Sequence, residues 1–471
     1  MTRKLILKRK VLQMKVLKRA LCAALAAAML VGCGSQPAAS PASQPGSQPA
    51  RPAGDRQYVN GTIDVTGMPE KALENKKVTI YCWGEYVPEK LYDWQGFRFI
   101  DYYGGEVEVI LSSGDYYENL YKLVAAGEIP DIVVGEATSF PSMIMRDLVQ
   151  PWDEYLDYDD PVWDETGARA CIDEMKWDGR IYNITGKSHD LGVMFYNKRL
   201  VEQTGLEDPA ELQARGEWTW DTFKQYLEET TLDTDGDGVT DVYGLVNTGD
   251  FPIALFSSTG ETHIEYQAGQ FVNNIKSQKV QDAANFLYNI GNNGEKLMLL
   301  GDPVADFLAG KAAFVYTNDY RGYVDYGKLW DTDGIGVVPM PVYPNGDGKQ
   351  YQAALNDNLW LMKGAQNPEG AALLVLAERY DTLLNMDPEA GSAAQTSIND
   401  LVNRGFTQEA AEATVAIREL PTKVIWSRSV AMKEGNLEYR AMDEPWTTLA
   451  ESMSGAVDKA ILDATTPLAN G

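Results

Sequence analysis

Two periods of apolar and polar residues alternate along this chain. Lys77–Trp83 (KVTIYCW) has the two-residue period and β-rich composition of a strand. Val107–Leu111 predicts a second strand. Tyr117, Leu120, Tyr121 and Val124 then fall at helical spacing, and Gly127 stops that helix. Pro130–Gly135 (PDIVVG) is a short apolar run between breakers, the pattern of a buried parallel strand. Strand, helix and strand at this spacing predict a βαβ unit.

The pattern breaks most sharply in Asp178–Leu200 (DGRIYNITGKSHDLGVMFYNKRL). A turn leads into an extended run, a polar patch at Thr185–Asp190 interrupts it, and an apolar strand resumes at Leu191–Tyr196. A strand polar at its middle predicts a segment passing between two lobes, serving as hinge and ligand contact together. Beyond it, Asn197–Thr204 predicts a helix stopped by Gly205, and Trp218-Thr219-Trp220-Asp221 opens another with Thr219 as N-cap. Val304–Ala309 is a short helix, Lys311–Thr317 and Gly334–Pro339 are strands, and Gln352–Met362 is extended. Asn367-Pro368-Glu369 opens a long helix with Pro at its first position, and the remainder is mainly helical. The expected class is α/β with a largely helical C-terminal portion. At 471 residues, two lobes are expected rather than one core.

Residues 1–32 carry eight Lys/Arg and no acid, then the apolar run Ala20–Val31, which predicts a secretory signal too short to span a membrane well. Leu30-Val31-Gly32-Cys33 predicts lipidation of Cys33 at the start of the mature chain. Gly34–Gly54 is almost wholly Ser, Pro, Gln, Ala and Gly, so 33–75 is expected to be a disordered tether. The formal net charge is −27, and −35 once the eight basic residues of 1–32 are removed. Such an acidic body argues against nucleic acid and anionic lipid as partners. It suits a monomer lipid-anchored at the outer face of a membrane. Cys82 and Cys171 remain, and a disulfide between them is open at this level.

The sharpest local motif is Asp233-Thr234-Asp235-Gly236-Asp237-Gly238-Val239-Thr240-Asp241. Asp at positions 1, 3, 5 and 9 with Gly at 6 is a calcium-loop pattern, although Gly244 stands where a bidentate Glu is expected. Asp233, Asp235, Asp237, Val239 and Asp241 are the candidate ligands of a structural calcium ion; the competing reading is a solvated acidic turn. Asp331-Thr332-Asp333-Gly334 is a shorter echo, read as a turn. With His189 and His263 as the only histidines, and no HExxH, GxSxG, Walker loop or GxGxxG, metal-hydrolase, nucleophilic and nucleotide chemistry lack their signatures. In open α/β sheets ligands sit beyond the C-terminal strand ends. Trp83, Glu85 and Tyr86 leave the first strand there, Glu136 and Ser139 leave the Asp131–Val134 strand, and Asp319 and Tyr320 leave the Lys311–Thr317 strand.

The order of motifs resembles the extracellular solute-binding lipoproteins of ABC importers, in the branch with the maltose- and oligosaccharide-binding proteins. The residues carrying the resemblance are Ile129-Pro130-Asp131-Ile132, Leu148–Trp152, Asp178–Tyr182, Phe195–Lys198, Trp218–Asp221 and Phe307–Ala313. Together they span roughly residues 76–465. The chain departs from the pattern in lacking Pro after Tyr182 and in carrying Gln150 and Trp152. The resemblance implies two lobes joined by crossings near Thr185, Lys311 and Tyr351. One lobe would be 76–186 with 313–354, and the other 187–312 with 355–471. It places Asp190 and Tyr320 where sugar-binding relatives carry a ligand carboxylate and a stacking aromatic, and His189 and Trp446 complete the candidate set.

The expected function is capture of a sugar or oligosaccharide between the lobes, without catalysis, and delivery to a permease. Aromatic rings pack on the C–H face of a pyranose, and carboxylates accept its hydroxyls. Two rivals share the features above: a surface enzyme cutting polysaccharide with two carboxylates, since such pairs have no fixed spacing, and a ligand sensor for a membrane receptor.

Overall fold

The computed structural model describes residues 58–59, 62–63, 65–83, 97–112, 114–135, 139–185, 189–190, 192–291, 293–332, 334–355, 358–384, 393–430 and 436–467. The leader, Cys33 and the tail to Gly54 lie outside them. Among the described residues no helix is long and apolar enough to cross a membrane.

Two five-stranded sheets form the two lobes. In the first, Lys77–Cys82 runs parallel to Glu106–Leu111 and to Ile132–Gly135, and Asn358–Leu361 lies antiparallel between Ile132–Gly135 and Asn183–Ile184. In the second, Val193–Asn197 lies antiparallel between Ala312–Thr317 and Ile335–Val338, and Tyr243–Val246 and Met298–Leu299 extend the sheet in parallel beyond Ala312–Thr317. All five residues of Val193–Asn197 are buried, matching its unbroken apolar run.

Local chemistry sets the helix limits much as expected. Tyr116–Ala126 is capped by Asp115, whose side chain accepts the Glu118 amide at 2.8 Å, and Gly127 ends it at φ 78°. Lys198–Thr204 is capped by Asn197 and closed by Gly205. Thr219 and Thr222 form a reciprocal capping box at the start of Trp220–Thr230. Asn367 accepts the Gly370 amide at 2.9 Å and opens Pro368–Leu384.

One buried carboxylate ties three of these pieces together. Asp131 accepts from the Thr79 amide and hydroxyl, both at 2.8 Å, and from the Asn367 amide at 2.7 Å. The aspartate of the Ile-Pro-Asp-Ile motif therefore joins two strands and a helix start of the first lobe. Elsewhere in that lobe Arg98 and Asp381 form a fully buried pair at 2.6 Å.

The pairing corrects three expectations. Lys311 is no crossing, because Ala312–Thr317 and Ile335–Val338 both pair with Val193–Asn197 in the second sheet. The stretch 313–351 thus belongs with the second lobe rather than the first. Conversely, Asn358–Leu361 pairs with Ile132–Gly135, and Pro368–Leu384 packs on the first-lobe core. Alternating strands and helices look alike in both lobes, so the pattern does not reveal partners. Finally, the body begins before residue 76: Met68 is buried, and the Tyr103 and Tyr380 hydroxyls donate at 2.8 Å to the Pro69 and Gly67 carbonyls.

A third sheet joins the lobes. His189–Asp190 pairs antiparallel with Gln352–Leu355, which pairs parallel with Thr422–Val424. The expected crossings near Thr185 and Tyr351 are these first two strands. Thr422–Val424 is a strand inside the otherwise helical C-terminal portion.

Candidate functional site

Register locates the cleft. Asn358, just beyond the second crossing, pairs with Gly135 at the C-terminal end of Ile132–Gly135. In the other lobe Gly192 enters beside Thr317: a Cβ on Gly192 would lie 2.4 Å from the Thr317 carbonyl oxygen. The first crossing therefore grazes the C-terminal end of Ala312–Thr317. Both sheets turn the C-terminal ends of their parallel strands toward the same crossings, the position at which α/β sheets take ligands.

On the first-lobe side stands Trp83, half-buried, immediately after the Lys77–Cys82 strand. Its ring stacks on Tyr116, with centroids 4.6 Å apart and planes at 22°. The Tyr116 hydroxyl donates to the Val134 carbonyl at 2.5 Å and lies 3.1 Å from the Tyr81 carbonyl. A cavity of about 320 Å³ opens alongside, lined by Tyr81, Leu111, Ser112, Asn119 and Lys122 among others. On the second-lobe side, Tyr320 is 51% exposed and packs edge-on against Tyr323 at 5.2 Å. Asp319 beside it is paired with Arg418. The Thr248 hydroxyl donates to the Tyr316 carbonyl at 2.6 Å, and Asp250 meets Arg428 at 3.4 Å, just past the Thr422–Val424 strand. Burial raises the Asp250 carboxyl above its ordinary value, while Arg428 opposes that shift.

Two expected ligand contacts are structural instead. The Ser139 hydroxyl is buried and accepts the Trp360 indole N–H at 2.9 Å. Trp446 is 2% exposed, donates to the Ile275 carbonyl at 3.0 Å and packs against Phe256 and His263. Trp446 opens the last helix and points into its own lobe. Glu85, Tyr86 and Glu136 lie outside the described residues. For His189 and Asp190 the backbone is described, in the joining sheet, and the side chains are not.

The reading from sequence missed Tyr116 and the Asp250–Arg428 pair. Asp115 as an N-cap would have placed Tyr116 at the first helical position, against the strand ends. The apolar run Tyr243–Val246 before Asp250 could have been read as a strand. Arg321 and Arg428 are both paired, with Asp325 at 2.5 Å and with Asp250 at 3.4 Å.

The acidic loop lies apart from these strand ends, between Trp220–Thr230 and Tyr243–Val246. The Asp233 carboxylate accepts the Gly236 and Gly238 amides at 2.7 and 2.8 Å. Carboxylate oxygens of Asp233, Asp235 and Asp237 lie within 4.8 Å of one another. Asp241 falls outside that trio and instead accepts the Thr234 amide at 2.8 Å. The Thr234 hydroxyl, and then its amide, hold the Asp241 carboxyl below its ordinary value.

Comparison with known proteins fits this architecture. No curated protein matches the chain. Solved structures of the same fold include the sugar-binding protein MalE from Xanthomonas citri, at 17% identity and TM-score 0.60, covering 82% of this chain and 98% of that one. UspC from M. tuberculosis is similar at 18% identity and TM-score 0.59, covering 82% and 100%. A cyclo/maltodextrin-binding protein complexed with maltotetraose matches at 16% identity and TM-score 0.57, covering 85% and 100%. At these identities the likeness establishes the two-lobed fold. The family profile of the bacterial extracellular solute-binding proteins matches residues 96–377, more than half of the chain. The chain belongs to the bacterial extracellular solute-binding protein family.

Proposed function

We propose that this protein captures a carbohydrate between its two lobes and hands it to an ABC importer, without chemical turnover. The observation that carries the reading is the convergence of both sets of strand ends on one group of crossings, with an aromatic ring on each side, Trp83 and Tyr320. Trp83 and Tyr320 serve as stacking faces, and Glu136 and Asp190 as hydroxyl acceptors. Lipid on Cys33 holds the body at the outer face of the membrane. The solved relatives named as sugar-binding or holding maltotetraose support this ligand class.

A ligand bound only by the folded state raises the melting temperature by mass action. The body from residue 55 onward is heated against a panel of mono- and oligosaccharides. One glycan class is expected to raise the transition, and Trp83→Ala to shrink the rise. A flat panel overturns the carbohydrate assignment, and conversion of the bound glycan on incubation overturns the reading as a pure binder.

We further propose that the Asp233–Asp241 loop holds calcium as a structural ion. Oxygens sharing one calcium at about 2.3–2.6 Å lie no more than about 5 Å apart, which the Asp233, Asp235 and Asp237 trio satisfies. The Val239 carbonyl stands at the position that donates a backbone oxygen in such loops. Titration calorimetry is expected to show one calcium site, lost in Asp235→Ala; no heat from the intact loop overturns this.

A further inference from the structure

We propose that Tyr116 is a positioning residue for the ligand cleft, acting through Trp83. This rests on the carbohydrate reading above. Trp83 is the first residue beyond the ladder of Lys77–Cys82. Tyr116 presents a ring parallel enough to stack and close enough to hold it, at 4.6 Å and 22°.

Tyr116 is itself held unusually firmly for a residue at the start of a helix. Its hydroxyl donates to Val134 and approaches the Tyr81 carbonyl, while the Tyr81 hydroxyl donates back to the Tyr116 carbonyl at 2.8 Å. Tyr117 meets its ring edge-on at 5.1 Å, and Tyr81 packs against it at 4.7 Å. The Asp115 cap fixes where the helix begins, and so fixes where this ring stands. The ring is therefore anchored to two strand ends and one helix at once. A side chain anchored this way stiffens its neighbour before the ligand arrives, which lowers the ordering cost of binding.

The test compares sugar affinity by calorimetry in the wild type, Tyr116→Phe, Tyr116→Leu, Trp83→Ala and the Trp83→Ala/Tyr116→Leu double variant, well below each melting transition. Tyr116→Phe keeps the stacked ring but loses the hydroxyl's hold on Val134, and is expected to weaken binding less than Tyr116→Leu does. Tyr116→Leu removes the platform and is expected to weaken binding roughly 3- to 10-fold. In the Trp83→Ala background the same change is expected to add nothing, since its route to the ligand is gone. Equal losses from Tyr116→Leu in both backgrounds, or none in the wild-type background, overturn the proposal. Absence of sugar binding by the wild type overturns the carbohydrate reading instead.

Discussion

Tyr266 and Trp177 lie face to face across the junction of the two lobes, ring centroids 6.2 Å apart and planes at 8°. The Tyr266 hydroxyl also donates at 2.8 Å to the Lys176 carbonyl. Tyr266 stands on the hairpin of Ile264–Gln267 and Gln270–Asn273, which the second lobe extends over the first. Phe140 and Trp426 close the same cluster at 5.1 and 5.2 Å from Tyr266. The lobes are thus bound by packed aromatic surface as well as by their crossings. Tyr266→Ala is expected to cost about 3–5 kcal/mol and Tyr266→Phe about 1 kcal/mol in urea denaturation. Equal costs for the two variants would show that the ring contributes little.

Asp131 accepts three hydrogen bonds from two segments distant in sequence. In Asp131→Asn the amide presents N–H groups to donors on one side, leaving buried groups unsatisfied. A loss of about 1–3 kcal/mol is expected, with sugar binding retained below the lowered transition. A variant as stable as wild type would mean that the contacts relax without cost.

Burial pushes the Cys82 thiol up to about 11, so the thiolate is scarce near neutral pH. Cys171 is only partly buried on Ala168–Glu174. In the body from residue 55, an alkylating reagent at pH 8 is expected to modify Cys171 and spare Cys82 until denaturant is added. Mass spectrometry of the peptides reads this directly, and rapid native labelling of Cys82 would contradict it.

The lowered Asp241 value has a definite sign. The folded state binds the Asp241 proton less readily than the unfolded chain, so its contribution is present above the unfolded value of about 3.9 and fades as pH falls through the lower folded value. Thr234→Ala removes the hydroxyl and is expected to move the Asp241 midpoint upward in a carboxyl NMR titration. An unmoved midpoint would assign the shift elsewhere.

Much of the fold is legible in residue order, because caps and breakers act locally. Asp115, Asn197, Thr219 and Asn367 each accept the amide that a helix start leaves open, and Gly127 and Gly205 take the left-handed turn that ends one. Strand partners are another matter. Ala312–Thr317 reads as a buried strand in either lobe, and only its register with Val193–Asn197 assigns it. The site suffers from the same gap. Position after a strand selected Trp83 and Ser139 alike, yet one stays half-exposed while the other turns inward to Trp360. Direction of a side chain at a strand end depends on its neighbours across the sheet, which spacing does not encode.

The three-stranded sheet between the lobes has a mechanical consequence. His189–Asp190 and Gln352–Leu355 are laced together through Ala354–Asp190 and Leu355–His189, with Thr422–Val424 bonded on the far side. Independent linkers would let one lobe slide, tilt and roll against the other. Strands bonded edge to edge share their backbone rotations, so the connection behaves as one ribbon with few degrees of freedom. Relative motion of the lobes must then twist that ribbon, because sliding one strand past another would break its ladder.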